Sequence, residues 1–364
     1  MMALCDRLER LSNAFGPSGR ERDVRALLRA GIAELADRIE VDALGNLIAY
    51  KTGADPEPRL RVMLSAHMDE VGFMITEIQK SGLLKFQPVG GLDPRMLPAK
   101  RLVIGDARIP GVIGAPPPHL QSAKQASQPP RGSGGQPVEL DDLAIDIGAE
   151  SDKEAEAKVK VGDYGVFATQ FTVLSRDSSW PTVRGKAFDD RVGCAMLVAL
   201  LAERYPVDLV VVFTVQEEVG LRGARVAAYR VEPDAAISLE GTICDDLPRP
   251  PDVDLTPVTR PGAGPALTLM DRRLVSHPGL LKLLRDTAEA EGIAIQYKAP
   301  GLGGADSGAI HLTRAGVPAT VVAVPCRYIH SPASILNLND MENSVRLMAA
   351  ALRRIGREHL ERAG

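Results

Sequence analysis

The feature that most constrains the fold is a set of continuous apolar runs of strand length. The run DLVVVFTV at 208–215 is typical of a strand buried on both faces, and the runs at 235–239 and 319–324 are similar. Helical periodicity falls between the runs, near 192–202, 278–291 and 341–357. This alternation of strands and helices predicts an α/β domain with three layers.

A segment of different texture interrupts this pattern. From Val71 to about Phe167, short β-like runs such as VGFMITEI and IPGVIG are separated by glycine and proline. We predict a small β-rich domain, PDZ-like or barrel-like, at residues 71–167, inserted into an α/β domain built from residues 1–70 and 168–364. The polar, Gly/Ser/Pro-rich stretch Gln121–Gln136 inside it predicts a mobile surface loop.

Composition excludes several classes of protein. The net charge is -4 and the basic residues are spread along the chain, which argues against nucleic-acid binding. No apolar run approaches the ~20 residues that span a bilayer. Leu4, Leu8 and Leu11 recur at helical spacing and predict an amphipathic helix rather than a signal peptide. The cysteines lie far apart and form no CxxC pair, which favours reduced thiols in a cytoplasmic protein: Cys5, Cys194, Cys244 and Cys326.

With only six histidines, a metal site in this chain must rely on carboxylates. His67 and Asp69 end an apolar strand, and residues i and i+2 of a strand point to the same side. One interpretation makes His67 a metal ligand whose ring Asp69 orients; the other is a hydrogen-bonded surface histidine. The remaining histidines are interpreted as structural: His119, His277, His311 and His359.

Acidic residues recur at similar places. Asp189 precedes a predicted helix, where a carboxylate either caps the helix or bridges two cations. Glu217 and Glu218 follow the most apolar strand and form either a solvated turn or a metal ligand beside a base, because adjacent side chains diverge. Glu240 ends the apolar run AAISLE, and His330 follows TVVAVP.

Together these residues predict a site for two metals. Two histidines and three carboxylates suit a pair of borderline divalent ions, zinc or cobalt with manganese also possible: His67, Asp189, Glu218, Glu240 and His330. Such a pair activates a shared water. Glu217, outside the ligand set, would accept the proton of that water.

The ordered motifs resemble the di-metal aminopeptidases of the tetrahedral (TET) type, metallopeptidases that include glutamyl and leucyl aminopeptidases and members once mislabelled as cellulases. The resemblance covers nearly the whole chain, through GPSGRE, SAHMDEVGFM, GVIGAPPPHL, KAFDDRVG, QEEVGLRGA, GGADSGAIHL and RYIHSP. It implies a hydrolase that removes N-terminal residues from peptides. It also implies that Asp189 bridges the metals, that Glu217 is the general base and that Asp69 orients His67. His67 and Glu240 would complete opposite ends of the pair with Glu218 and His330.

The resemblance further implies that the β-rich insertion is a dimerisation domain and that dimers assemble into hollow dodecamers. Glu240 stands where many relatives have aspartate. Asp306, in GGADSG, resembles part of the glycine-rich loop near the substrate, although an ordinary turn capped by Asp306 would explain the same residues.

Other functions fit parts of this pattern. A di-metal amidohydrolase or deacylase would use the same ligands on another amide. A glycosidase would need two carboxylates and typically an aromatic platform, but aromatic residues make up only 4% of the chain, with one Trp. A non-catalytic binding protein on this fold would be expected to lack Glu217 or a ligand, and none is missing.

Overall fold

The structure, a computed structural model, describes residues 2–115, 138–176, 179–248 and 258–361. It divides the chain into two compact units. The first unit comprises Met1–Glu70, Gln170–Ile329 and Ala333–Gly364, and the second comprises Val71–Thr169 and His330–Pro332. His119 and the predicted loop Gln121–Gln136 lie outside the described residues.

The described part of the first unit contains one mixed sheet and its helices. Its strands are β1 (Arg38–Val41), β2 (Leu47–Lys51), β3 (Arg61–His67), β10 (Thr172–Ser175), β11 (Thr182–Gly185), β12 (Asp208–Thr214), β13 (Ala235–Cys244), β14 (Ala266–Thr268), β15 (Gln296–Lys298), β16 (Ala319–Arg327) and β17 (Ser334–Asn337). Its helices are α1 (Met2–Asn13), α2 (Arg22–Ile32), α4 (Phe188–Leu201), α5 (Arg222–Val231), α6 (Pro278–Ala290), α7 (Ser307–Ile310) and α8 (Leu338–Leu352).

The centre of this sheet is parallel and is covered on both faces. The strand order is β1-β2-β12-β3-β13-β16-β17-β11-β10, and β14 joins β16 to β15. Along β12, Val211 and Phe213 pack in one core cluster with α1, α2, α4, α6 and α8. Val210 and Val212 pack in the other cluster with α5 and α7. Helices on both faces of the sheet confirm the predicted three-layer α/β fold.

One local difference concerns the segment after α2. In the sequence, apolar residues at helical spacing extend from Arg20 to Ile39 and predict a helix there. In the structure, α2 ends at Ile32 and Arg38–Val41 forms β1, paired antiparallel with β2. The turn between the two strands is held by Asp42, whose Oδ1 accepts the backbone N–H groups of Leu44, Gly45 and Asn46. Pairing at the sheet edge overrides the helical pattern here.

The second unit is a closed barrel, which confirms the predicted β-rich insertion. Its strands are β4 (Gly72–Ile78), β5 (Leu84–Val89), β6 (Arg101–Ile104), β7 (Ile109–Gly114), β8 (Ala144–Asp146) and β9 (Tyr164–Phe167), with the short helix α3 (Asp152–Glu156). They close in the order β4-β5-β8-β7-β6-β9. Inside, the ring of Phe73 meets Phe86 and Phe167 edge-on at 5.3 and 5.2 Å between centroids.

In the described ranges, the helices are all too short or too polar to cross a membrane.

Candidate active site

The sheet gathers most of the predicted site residues at the carboxyl ends of its central strands. β3 and β12 are parallel, and His67 pairs with Thr214 at the end of their shared register. Asp69 therefore follows β3 at the same edge where Glu217 and Glu218 follow β12. Ligand sites of open α/β sheets lie at this edge.

Glu240 reaches the same place from inside a strand. The sequence predicts a strand that ends at Glu240, but β13 continues to Cys244. The reason lies in its neighbours: β13 pairs with β3 only as far as Ser238, whereas its pairing with β16 runs to Cys244. Beyond Ser238, β13 is no longer paired with β3, and the Glu240 side chain is directed toward His67, with Oε2 3.7 Å from Nε2.

The imidazole of His67 is the centre of the site and is 1% exposed. Its Nδ1 lies 3.1 Å from the carbonyl oxygen of Asp69 and 3.5 Å from the Asp69 carboxylate. Since both are acceptors, Nδ1 carries a hydrogen, and Nε2 is the ring atom left to bind a cation. Nε2 faces carboxylate oxygens of Asp189 at 3.1 Å, Glu240 at 3.7 Å and Glu217 at 3.9 Å.

The electrostatics of this arrangement call for a cation. Burial lowers the pKa of His67, but the carboxylates of Glu217, Asp189 and Asp69 outweigh it and raise that pKa well above its usual range. Burial, reinforced by neighbouring carboxylates, raises the pKa of Glu217 and of Glu240 well above the usual range. Oε1 of Glu240 is buried and has no hydrogen-bond partner among the described residues. Crowded buried carboxylates and an orphaned acceptor fit a site for divalent metal ions.

The donor atoms form two neighbouring groups. Single ligand atoms of His67, Asp189 and Glu240 lie within 4.8 Å of one another, and a carboxylate oxygen of Asp189 also lies within 4.8 Å of one of Glu218. Asp189 is thus common to both groups of donor atoms. Glu217 belongs to neither group, although its carboxylate is close to the His67 ring.

Asp69 stabilises this site through buried hydrogen bonds. It is fully buried, and its carboxylate accepts the backbone N–H groups of Glu217 and Glu218 at 3.0 and 3.1 Å and the hydroxyl of Ser18 at 2.6 Å. Burial raises the pKa of Asp69, but the hydrogen bonds from His67, Ser18 and Glu217 hold it below its usual range. Asp69 therefore joins the His67 ring to the loop that carries both glutamates.

Asp190 is a residue that the sequence reasoning missed. Its carboxylate, fully buried, accepts the N–H of Gly193, as a helix-capping residue would, and also those of His67 and Gly241. Of the two interpretations of this Asp-Asp pair, capping describes Asp190, while Asp189 turns to His67. The only local signal was the second carboxylate of FDDR.

Asp306 does not cap the turn that it begins. Its Oδ2 accepts the hydroxyl of Thr214 at 2.5 Å, and its Oδ1 is buried without a hydrogen-bond partner in the described chain. Burial raises the pKa of Asp306 to about 6. The residue itself is fully buried, whereas Gly303 and Gly304 before it are exposed.

His330 belongs to the second unit. Its Nδ1 lies 3.0 Å from the carbonyl oxygen of Gly91, so Nδ1 is the donor and the neutral ring keeps its lone pair on Nε2. Its role as a metal ligand stays a prediction.

The fold and the donor set define a class of protein, the hydrolases that bind divalent metals at the strand ends of an α/β sheet. A family model described as M42 glutamyl aminopeptidase matches residues 45–347. The chain belongs to this family.

Similarity to known proteins covers nearly the whole chain. A putative aminopeptidase of Acetivibrio thermocellus is 37% identical, over 95% of this chain and 98% of its own. The crystal structure of a TET aminopeptidase from the archaeon Thaumarchaeota archaeon SCGC AB-539-E09 superposes with a TM-score of 0.90 at 35% identity, over 98% of each chain. A TET peptidase from Pyrococcus horikoshii gives 0.81 at 33% identity, over 97% of this chain and 100% of that one.

These relationships confirm the predicted resemblance and the predicted activity. The protein is a metal-dependent aminopeptidase, an enzyme that hydrolyses peptide bonds.

Proposed function

We propose that this aminopeptidase works with two divalent metal ions, zinc or cobalt, held by His67, Asp189, Glu218, Glu240 and His330. The observation that carries the proposal is the position of Asp189, whose carboxylate is close to His67 and Glu240 on one side and to Glu218 on the other. A carboxylate that bridges two metal ions must lie within reach of the ligands of both ions. His330 completes the set by chemistry, since its Nδ1–H is directed to a carbonyl and its Nε2 is the atom able to bind metal.

In the proposed mechanism, metals held by these residues would supply polarisation of the scissile carbonyl and a lowered pKa for a water molecule. Glu217 accepts the proton of the attacking water and passes it to the leaving amine. Its carboxylate lies beside the His67 ring but outside both ligand groups, as a base must. Asp69 fixes the backbone of Glu217 and Glu218, so that the base and its neighbouring ligand keep their separate directions.

The glycine-rich segment before Asp306 is the proposed contact for the substrate backbone. Gly303 and Gly304 are exposed and have no side chains, which allows a peptide to approach closely. Asp306 is buried, so it contributes negative charge to the site and does not contact the substrate directly.

We also propose that the barrel, residues 71–167, pairs chains into dimers that assemble further, to a dodecamer, in the cytoplasm. The support is the similarity to the Pyrococcus horikoshii TET peptidase, which can assemble into a tetrahedron or a large octahedral shell.

The direction of attack tests the proposed function. An aminopeptidase needs a free α-amine, so peptides with a free N-terminus should be shortened stepwise while their N-acetylated versions stay intact. Exhaustive chelation should abolish this activity, Zn²⁺ or Co²⁺ should restore it, and elemental analysis should approach two metals per chain. Internal cleavage of acetylated peptides would assign the site to another amide hydrolase, and full activity without metal would refute the metal pair.

A further inference from the structure

A buried cluster of charged side chains lies next to the metal-ligand residues without belonging to them. Lys186 Nζ lies 2.7 Å from both carboxylate oxygens of Glu70, and Arg191 Nη2 lies 3.1 Å from Glu70 Oε1. Their side chains are 5%, 2% and 0% exposed. Burying three charges costs several kcal/mol per ion before the pairing repays it, so the arrangement of Glu70, Lys186 and Arg191 calls for an explanation. We call these three residues the charged cluster.

The charged cluster joins the two chain segments that carry central site residues. Glu70 follows Asp69 directly and is three residues beyond His67. Lys186 and Arg191 stand on either side of Asp189. Arg191 also donates from Nε to the carbonyl of Met68 at 2.8 Å, next to His67. The segment after β3 and the segment that begins α4 are therefore tied through charged hydrogen bonds.

A third segment, the end of α1 and the loop after it, is held by the same side chains. Arg191 Nη1 donates to the carbonyl of Leu11, and Lys186 Nζ donates to that of Ala14 at 2.7 Å. Cations are favourable at the carbonyl end of a helix. Gly16 donates its N–H to Glu70 Oε1 at 3.1 Å. A Cβ at position 16 would lie 2.6 Å from Val24 Cγ2 and 2.8 Å from Arg191 Nη2, so both the core and the charged cluster favour glycine here.

We propose that Glu70, Lys186 and Arg191 are positioning residues that hold His67 and Asp189 at the separation needed to bind metal. The inference rests on the proposed metal centre. Besides one another, the three side chains contact backbone groups of Leu11, Ala14, Gly16 and Met68, so they act through the backbone of the segments that carry or flank the ligands.

A purely electrostatic role predicts the opposite result from a positioning role. The charged cluster has one net positive charge, which opposes a cation at the neighbouring site. If charge alone mattered, Lys186→Met would remove a repulsive charge and tighten metal binding. If the cluster positions the ligands, the same substitution loosens the segment around Asp189 and weakens metal binding.

The test measures binding of Zn²⁺ to the chelator-treated full-length protein by competition with a chromophoric chelator. Loss of residues that support ligands typically costs 10- to 100-fold in metal affinity, and we expect losses of that size for Lys186→Met and for Glu70→Gln. The control is Asp208→Asn. Asp208 begins β12, at the end of the strand away from the site, and its Oδ1 lies 2.6 Å from Arg59 Nε. This variant should therefore be less stable but bind Zn²⁺ like the wild type.

Wild-type affinity in Lys186→Met and Glu70→Gln, or tighter binding in Lys186→Met, overturns the positioning role. An equal loss in Asp208→Asn also overturns it, because general destabilisation would then explain the effect. Where Lys186→Met does not fold, Lys186→Gln takes its place, because it removes the same positive charge: charge alone predicts tighter Zn²⁺ binding and a positioning role predicts weaker binding. If the wild type binds no Zn²⁺, the proposed metal centre and this inference fall together.

Discussion

Oδ2 of Asp190 accepts the backbone N–H of His67 at 3.2 Å. Oδ1 of the same carboxylate accepts the N–H groups of Gly193 at 2.9 Å and Gly241 at 3.1 Å. Gly241 follows Glu240, and Gly193 lies in the first turns of α4. A single buried side chain thus holds together the three segments that carry the proposed ligands His67, Asp189 and Glu240.

Asp190→Asn should weaken both folding and metal binding. An amide offers one acceptor oxygen, and its NH2 group would face a backbone donor, so at least one buried N–H loses its partner. We expect a loss of about 1–3 kcal/mol in the free energy of unfolding and weaker Zn²⁺ binding, measured by urea denaturation and chelator competition.

The matched control is Asp42→Asn, because Asp42 also accepts three backbone N–H groups but holds the turn between β1 and β2. It should lose stability only. Equal Zn²⁺ affinity in the Asp190 variant and the wild type would refute the coupling.

Substitution of the two neighbouring glutamates should have different effects on catalysis and on metal binding. Glu217→Gln cannot accept a proton, and general base catalysis typically contributes ~10²–10⁴-fold, so kcat should fall by at least that factor with near-normal metal content. Glu218→Gln removes a charged ligand, so metal should bind more weakly and excess metal should partly restore activity. Steady-state kinetics with metal analysis decides between them, and the reverse pattern would exchange the two roles.

Asp340 should make stability depend on pH. Burial raises its pKa to about 6 from an ordinary value of 3.8, although Gly262 and Gly264 donate backbone N–H groups to it. Between these values the folded chain keeps a proton that the unfolded chain has lost, so the contribution of Asp340 to the free energy of unfolding falls as pH rises from about 4 to about 6. The full change is about 3 kcal/mol.

Asp340→Asn has no such proton, so its stability relative to the wild type should rise across this pH range. Urea denaturation of both chelator-treated proteins at pH 4, 5, 6 and 7 measures the difference. A difference that does not change with pH would show that Asp340 titrates normally.

The barrel is expected to pair chains. Light scattering of the purified protein should give an even multiple of the 38.9 kDa chain mass, and substitutions on its outer face should lower that number without changing metal affinity. Val112, 42% exposed on β7, is a suitable position for Val112→Lys. A stable, active monomer would contradict the proposed assembly.

The sequence by itself determined the class of fold and the position of most candidate site residues at strand ends. Apolar runs, their alternation with helical periods and the polar residues that follow them are local properties, so they can be read without long-range contacts. His67, Asp69, Glu217 and Glu218 were predicted at strand ends for this reason, and the structure places them there.

Only the tertiary structure decided what depends on register and on distant partners. Glu240 lies inside β13 because pairing with β16 continues that strand to Cys244 after its pairing with β3 has ended, which no local pattern at AAISLE records. Arg38–Val41 became a strand because β2 was available to pair with it. Asp190 and Arg191 lie near the start of α4, yet their partners, His67 and Glu70, lie more than 100 residues away. Hydrogen bonds of buried charged groups are set by which segments meet, and that is a property of the folded chain.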